Sequence, residues 1–179
     1  MDRMRCAHCG EEHDLSELEP SYDRPDAYFE VPAEERDART HFDSDDGRIH
    51  DAPSGGEGGE GAREGRHFLR ALLPIPVRGE DGSCSWGVWV EVSRWAWERT
   101  RRRWNDPGQR DEPPFAGQLA NALLGYDGTL GLPGRVQLTG PATAPCFILD
   151  DAVAHPLARD PRDGVFPERV LEWLSSVSH

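Results

Sequence analysis

The chain has 179 residues, of which 36% are hydrophobic and 30% are charged, a composition typical of a single globular domain. Its 33 Asp and Glu residues outnumber its 20 Lys and Arg residues, and the net charge of −13 disfavours binding to nucleic acid. No apolar stretch approaches the roughly 20 residues that cross a bilayer, and the N-terminal sequence lacks the apolar region of a signal peptide. We therefore expect a cytoplasmic protein with reduced thiols and no membrane partner.

The sharpest local motif is CAHCGEEH at residues 6–13, which contains two cysteines spaced as in a zinc knuckle. The C-x2-C spacing lets the thiolates of Cys6 and Cys9 reach one ion, and His13 is a candidate third ligand. A structural zinc site needs four ligands, and the chain has no second C-x2-C. The hypothesis is a Zn²⁺ site in the segment 1–20, and the alternative is a pair of reduced cysteines that bind nothing.

The sequence of residues 15–65 predicts little regular structure. Residues 15–32 are typical of an extended loop, and residues 31–39 predict a short helix with an ion pair between Glu35 and Arg39. The acidic stretch 41–51 lacks the ligand spacing of a calcium loop and predicts a turn. Residues 52–65 are rich in Gly and Glu, and we expect a mobile insertion within one domain that spans 1–179.

Two strands are predicted in mid-chain. Residues 85–92, SWGVWVEV, alternate Trp86 and three valines on one face with Trp89 on the other, which is the period of a strand. Residues 66–77 supply the second strand of a hairpin. Pro74 and Pro76 cannot donate to a ladder, so this end of the strand should lie at an edge or a bulge.

Helices are predicted over residues 93–104, 113–126 and 166–177, and a second hairpin is predicted over residues 136–149. Ser93 suits the N-cap of the first helix, whose arginines are typical of a solvated face. The expected fold is α+β, with a central antiparallel sheet of about four strands and two or three helices packed on it. Five tryptophans are expected in the core, namely Trp86, Trp89, Trp97, Trp104 and Trp173.

Several landmarks together resemble one family. They are the C-x2-C-G-x2-H motif at 6–13, SWGVWVEVS at 85–93, the Trp104 helix end before Asp-Pro-Gly, PFAGQLANALLGYDGTLGL at 114–132 and HPLARDPRDGV at 155–165. The set resembles the bacterial domain-of-unknown-function family 2199. The resemblance covers nearly the whole chain, and it implies a bacterial cytosolic protein with the α+β layout described above.

The resemblance also bears on the zinc hypothesis. Members of this family commonly carry a cysteine in the Asp-rich turn, a position that falls near residues 47–49 here, where this chain has no cysteine. The chain departs from the family pattern here, and His50, two or three residues away, is the candidate to replace that cysteine as a zinc ligand beside Cys6, Cys9 and His13. His41 is a second candidate for the same role.

Three functions are compatible with the sequence. The favoured one is a non-catalytic protein that binds a protein or a small molecule and has a structural zinc site. An acidic protein that masks a basic partner, as inhibitors and immunity proteins do, is the alternative. An enzyme that uses His155 with Asp150 and Asp151 ranks third, because no catalytic motif accompanies these residues, and His67 and Cys84 are only scattered further candidates.

Overall fold

The computed structural model describes residues 3–5, 12–14, 19–52, 65–78 and 83–177. The strands β1 (Arg3–Arg5) and β2 (Glu12–Asp14) form an antiparallel hairpin of their own. The predicted mobile insertion at 52–65 lies almost wholly outside the described residues. Within the described part, no helix is both long and apolar enough to cross a membrane.

Seven further strands form one sheet, and their order in the sheet follows their order in the chain. Strands that follow one another in the chain pair in antiparallel orientation. The seventh strand also pairs with the third, in parallel orientation, through Cys146 and Leu72. The strands are β3 (Thr40–Phe42), β4 (Asp46–His50), β5 (Gly65–Pro76), β6 (Ser83–Val92), β7 (Phe115–Leu119), β8 (Pro133–Gln137) and β9 (Cys146–Leu149).

The sheet is therefore a closed, mixed barrel of the five strands β5–β9, which β4 and β3 extend beyond β5. The predicted open antiparallel sheet of about four strands with helices packed on its face is wrong. The apolar face of the observed sheet is buried because the sheet closes on itself. Trp86, Val88 and Val90 of β6 lie in one core cluster with Phe147 of β9. A sheet that buries its own face needs few covering helices.

The opposite face of β6 is also buried. Trp89 lies in a second cluster with Phe68 of β5, Ile49 of β4 and Ala27 of the short helix α1 (Asp26–Glu30). The predicted alternation of Trp86 and Trp89 on opposite faces is confirmed, as is the hairpin of β5 with β6. Of the five tryptophans expected in the core, Trp104 alone is only half-buried.

The barrel closes through a short seam. The N–H of Leu72 donates to the carbonyl of Pro145 at 2.8 Å, and in a parallel pair the next donor on that edge would be residue 74. Pro74 has no N–H, and the pairing of β5 with β9 ends after Leu72 and Cys146. Beyond this point the two strands are separated by a groove of about 310 Å³ with Leu73 and Phe147 in its wall.

Within the described residues, the helices are α1 and four others, together with three short 3-10 segments. The predictions over 93–104 and 166–177 are confirmed, and the hydroxyl of Ser93 accepts the N–H of Ala96 at 3.2 Å. Residues 33–39 form a 3-10 turn followed by α2. The remaining helices are α2 (Arg36–Arg39), α3 (Arg94–Arg103), α4 (Asp160–Asp163) and α5 (Pro167–Val177).

Three predictions about individual segments are wrong. The extended loop predicted over 15–32 contains the helix α1. The predicted helix over 113–126 begins as strand β7, in which Phe115 and Leu119 share a face because they are an even number of residues apart. A Cβ at Gly117 would lie 2.5 Å from Val90 Cγ1, so the small residue lets β7 approach β6. The predicted turn over 41–51 contains most of the hairpin of β3 with β4.

Candidate functional site

A small cavity of about 180 Å³ lies between α3 and the strand pair β4–β5. Arg48 of β4 is opposite His67 of β5, and His50 is opposite Gly65. The helix α3 contributes the remaining polar groups. We call this cavity the basic cleft and define it by Arg48, His50, His67, Arg94, Trp97 and Glu98.

The local sequence explains this convergence. In β4, Gly47 and Ile49 are buried while Arg48 and His50, in alternating positions, are directed to the opposite side. The helix α3 begins directly after β6 because Ser93 caps it, so Arg94 lies in its first turn near the strand pair. Sequence reasoning missed Arg48 and Arg94. The alternation of apolar and polar residues in DGRIH was the signal that could have identified β4.

Arg48 is the arginine of the basic cleft that has a buried nitrogen without a partner in the described part of the chain. Its Nε atom is buried and has no hydrogen-bond partner among the residues that the structure describes. A buried donor of a charged group without a partner costs free energy, and such atoms in native proteins call for an explanation such as a bound ion. Arg94, by contrast, donates to the Glu98 carboxylate at 2.8 Å, and its side chain is exposed.

His67 is surrounded by cationic groups. Burial lowers its pKa below the ordinary value of 6.5, and the charges of Arg94 and Arg48 lower the pKa further. Glu98 and a hydrogen bond with the Gly65 backbone act in the opposite direction. The ring centroid of His67 lies 5.1 Å from that of Trp97. The site therefore favours the neutral imidazole and presents positive charge.

A second cavity, of about 250 Å³, lies near the other end of α3 and is lined by Asp43, Asp45, Asp46 and Arg101. Burial raises the pKa of Asp46, as does the charge of Asp43, while Arg101 at 3.3 Å lowers it. The Asp43 carboxylate accepts the backbone N–H groups of Asp45 and Asp46, both at 2.9 Å. These interactions stabilise the turn between β3 and β4.

Only some of the predicted zinc ligands lie among the residues that the structure describes. Cys6 and Cys9 lie outside the described residues, in the connection of the β1–β2 hairpin, and His13 lies in β2. His50 lies in the basic cleft, and His41 is exposed on β3. Among the described residues, no group of three or more His, Cys, Asp or Glu is placed to hold a metal ion. Zinc binding therefore stays a prediction.

The residues of the enzyme hypothesis do not converge. His155 caps a short 3-10 segment: its Nδ1 accepts the N–H of Leu157 at 3.0 Å, and its Nε2 lies 2.7 Å from the Asp127 carbonyl oxygen. Asp150 lies 3.7 Å from Arg135, and Asp151 lies 2.6 Å from Arg162. Both nitrogens of the imidazole are thus used by the backbone.

Cys84 is not suited to nucleophilic attack either. Its side chain is buried in the barrel core, and burial, with a smaller effect of Glu19, raises the pKa of the thiol to about 11. The thiolate would therefore be scarce at neutral pH. Among the described residues, Cys146 of β9 is a free thiol.

Comparison with known proteins gives one match. The family model of uncharacterized proteins conserved in bacteria, DUF2199, matches residues 5–165. No curated protein and no solved structure matches the chain. The match spans the barrel, α3 and the basic cleft, so the resemblance noted from the sequence motifs is confirmed. The chain therefore belongs to the DUF2199 family of uncharacterized bacterial proteins.

Proposed function

We propose that this protein binds a small anion in the basic cleft, of the phosphate, sulfate or carboxylate class, without transforming it. The observation that carries the proposal is the buried Nε atom of Arg48, which has no partner among the described residues and lies beside the same cavity as His67 and Arg94. A tetrahedral or planar oxyanion would accept from this donor. The proposal thus narrows the binding function favoured by the sequence to one class of ligand, small anions.

The size of the basic cleft restricts the ligand. Its volume of about 180 Å³ is that of roughly six waters at 30 Å³ each. Sites that enclose drug-sized ligands are larger, about 300–1,000 Å³. The cleft therefore suits an inorganic oxyanion or a short carboxylate, whereas a nucleotide could place only one phosphate group in it.

The charge of the whole protein favours a local mode of binding. With a net charge of −13 the chain repels anions at long range, although salt screens exposed charges beyond about 8 Å at physiological ionic strength. The same charge supports the proposal that nucleic acid is not a partner. Masking of a basic protein partner remains the alternative, and it rests on this net charge alone.

Titration of the protein with sulfate, with the heat of binding measured by calorimetry, tests the proposal. We expect saturable binding with one site per chain, and we expect Arg48→Gln to weaken it by about tenfold or more, because a hydrogen bond to a charged group contributes about 1.5–3 kcal/mol. The matched control is Arg135→Gln, which removes an exposed arginine of β8 that lies outside the cleft. Absence of binding to the folded protein, or equal affinities of the wild type and Arg48→Gln, would overturn the proposal.

A further inference from the structure

We propose that His67 takes up a proton when an anion enters the basic cleft, so that His67 determines how tightly the anion is held at a given pH. The inference rests on the anion-binding function proposed above and adds its regulation. On this proposal His67 becomes positively charged when the anion binds, whereas Arg48 and Arg94 are positively charged with and without the anion.

The geometry places His67 among cations. Arg48 is its cross-strand partner on β4, and Arg94 approaches from the first turn of α3. Cross-strand partners lie about 4.5–5.5 Å apart at Cβ, so an imidazolium would lie close to the Arg48 side chain. Two guanidinium groups disfavour a third positive charge, and a bound anion would supply the compensating negative charge.

The remaining charged groups around His67 do not reverse this balance. On the strands, His50 lies on the same face of β4, Asp46 lies farther along that strand, and His41 is the exposed partner of Arg48 on β3. On α3, Glu98 is already bonded to Arg94. On β6 the register partner of His67 is Val92, which carries no charge.

The direction of the pH dependence follows from linkage. The pKa of His67 lies below 6.5 without ligand, so the ring is neutral at pH 7, and an anion beside it raises the pKa. Because coupling between two ligands is reciprocal, protonation of His67 strengthens anion binding by the same factor. The affinity therefore rises as the pH falls through the ligand-bound pKa, and it levels off below the pKa of the free protein.

Sulfate is the probe, because it keeps its double negative charge between about pH 5.5 and about pH 8, where histidine titrates. Calorimetry in two buffers with different ionisation enthalpies measures proton uptake directly. We expect uptake of up to about one proton per sulfate, and a dissociation constant that falls by up to about tenfold per pH unit, the limit for one linked proton.

Two variants assign the proton. His67→Gln should bind sulfate more weakly at low pH and should lose the pH dependence, whereas His41→Gln, which lies outside the basic cleft, should retain it. If His67→Gln does not fold, the pKa of His67 in the wild type, measured by NMR with and without sulfate, replaces it and should rise on binding. Sulfate binding without proton uptake, or an unchanged pKa of His67, would overturn this inference alone. Absence of any sulfate binding would overturn the proposed function as well.

Discussion

Arg48 and Asp46 show how a single strand sets the chemistry of this protein at the scale of the residue. Both lie on the same face of β4, two positions apart. Asp46 nevertheless lines the second cavity, together with Asp43 and Asp45, whereas Arg48 lines the basic cleft. Asp46 has an arginine partner in Arg101 at 3.3 Å. Asp46 Oδ1 and Arg48 Nε are nevertheless both buried atoms without a hydrogen-bond partner among the described residues. The proposal of an anion site in the basic cleft therefore also depends on the positive charge that Arg48 and Arg94 bring to it.

The N-terminal cysteines carry a residue-scale prediction of their own. Cys6 and Cys9 lie outside the described residues, and thiolates at C-x2-C spacing suit Zn²⁺. We expect about one zinc per chain, by elemental analysis, in protein purified without a His-tag. Cys6→Ser and His50→Gln should each lower the zinc content, and Cys6→Ser should also lower the melting temperature, because metal affinity is folding free energy.

The matched control for this prediction is Cys146→Ala, which removes a free thiol of β9 and should leave the zinc content unchanged. A wild-type protein without stoichiometric zinc would contradict the zinc hypothesis. A Cys6→Ser variant that retains both the metal and the melting temperature would contradict it equally.

At the scale of the element, α3 is the helix that completes the basic cleft, and its N-cap can be tested. The hydroxyl of Ser93 accepts the N–H of Ala96, and Ser93→Ala removes this bond. We expect a loss of about 1 kcal/mol in the free energy of unfolding, measured by urea denaturation. Ser93→Thr keeps the cap and is the control. Equal stability of the wild type and Ser93→Ala would show that the cap contributes nothing.

Strand β7 shows why elements were predicted unequally well. The alternation in β6 and the long apolar stripe of α5 are unambiguous, and both elements were predicted correctly. Phe115 and Leu119 fit a helix and a strand equally, because a separation of four residues places two side chains on one face in either structure. Only the pairing of β7 with β6 and β8, which is a tertiary effect, decides for the strand.

At the scale of the whole molecule, closure of the sheet was beyond the sequence. The barrel depends on contact between residues as distant in the chain as Leu72 and Cys146, and no local pattern encodes that pairing. The apolar residues of β6 were correctly expected to be buried, but the sequence does not say whether a helix or another strand covers them. The single-domain organisation over residues 1–179 stays a prediction.

The candidate site depended on the same missing information. His67 and His50 were both noted from the sequence, but Arg48 and Arg94 joined them only when β4, β5 and α3 were placed together. Basic residues on a polar chain are usually solvated. In α3, Arg101 and Arg103 each have a carboxylate partner, although the Nε atom of Arg103 is buried without a hydrogen-bond partner among the described residues. An unpaired buried nitrogen can be recognised only in three dimensions.

The decisive experiment is a crystal structure of the protein grown with selenate, because the anomalous signal of selenium locates the bound anion directly. We predict a selenium peak in the basic cleft, with a selenate oxygen within about 3.2 Å of Arg48 Nε and another facing the His67 ring. A peak confined to other sites, or an unoccupied cleft at selenate concentrations that saturate binding in solution, would contradict the claim that this cleft is the anion site.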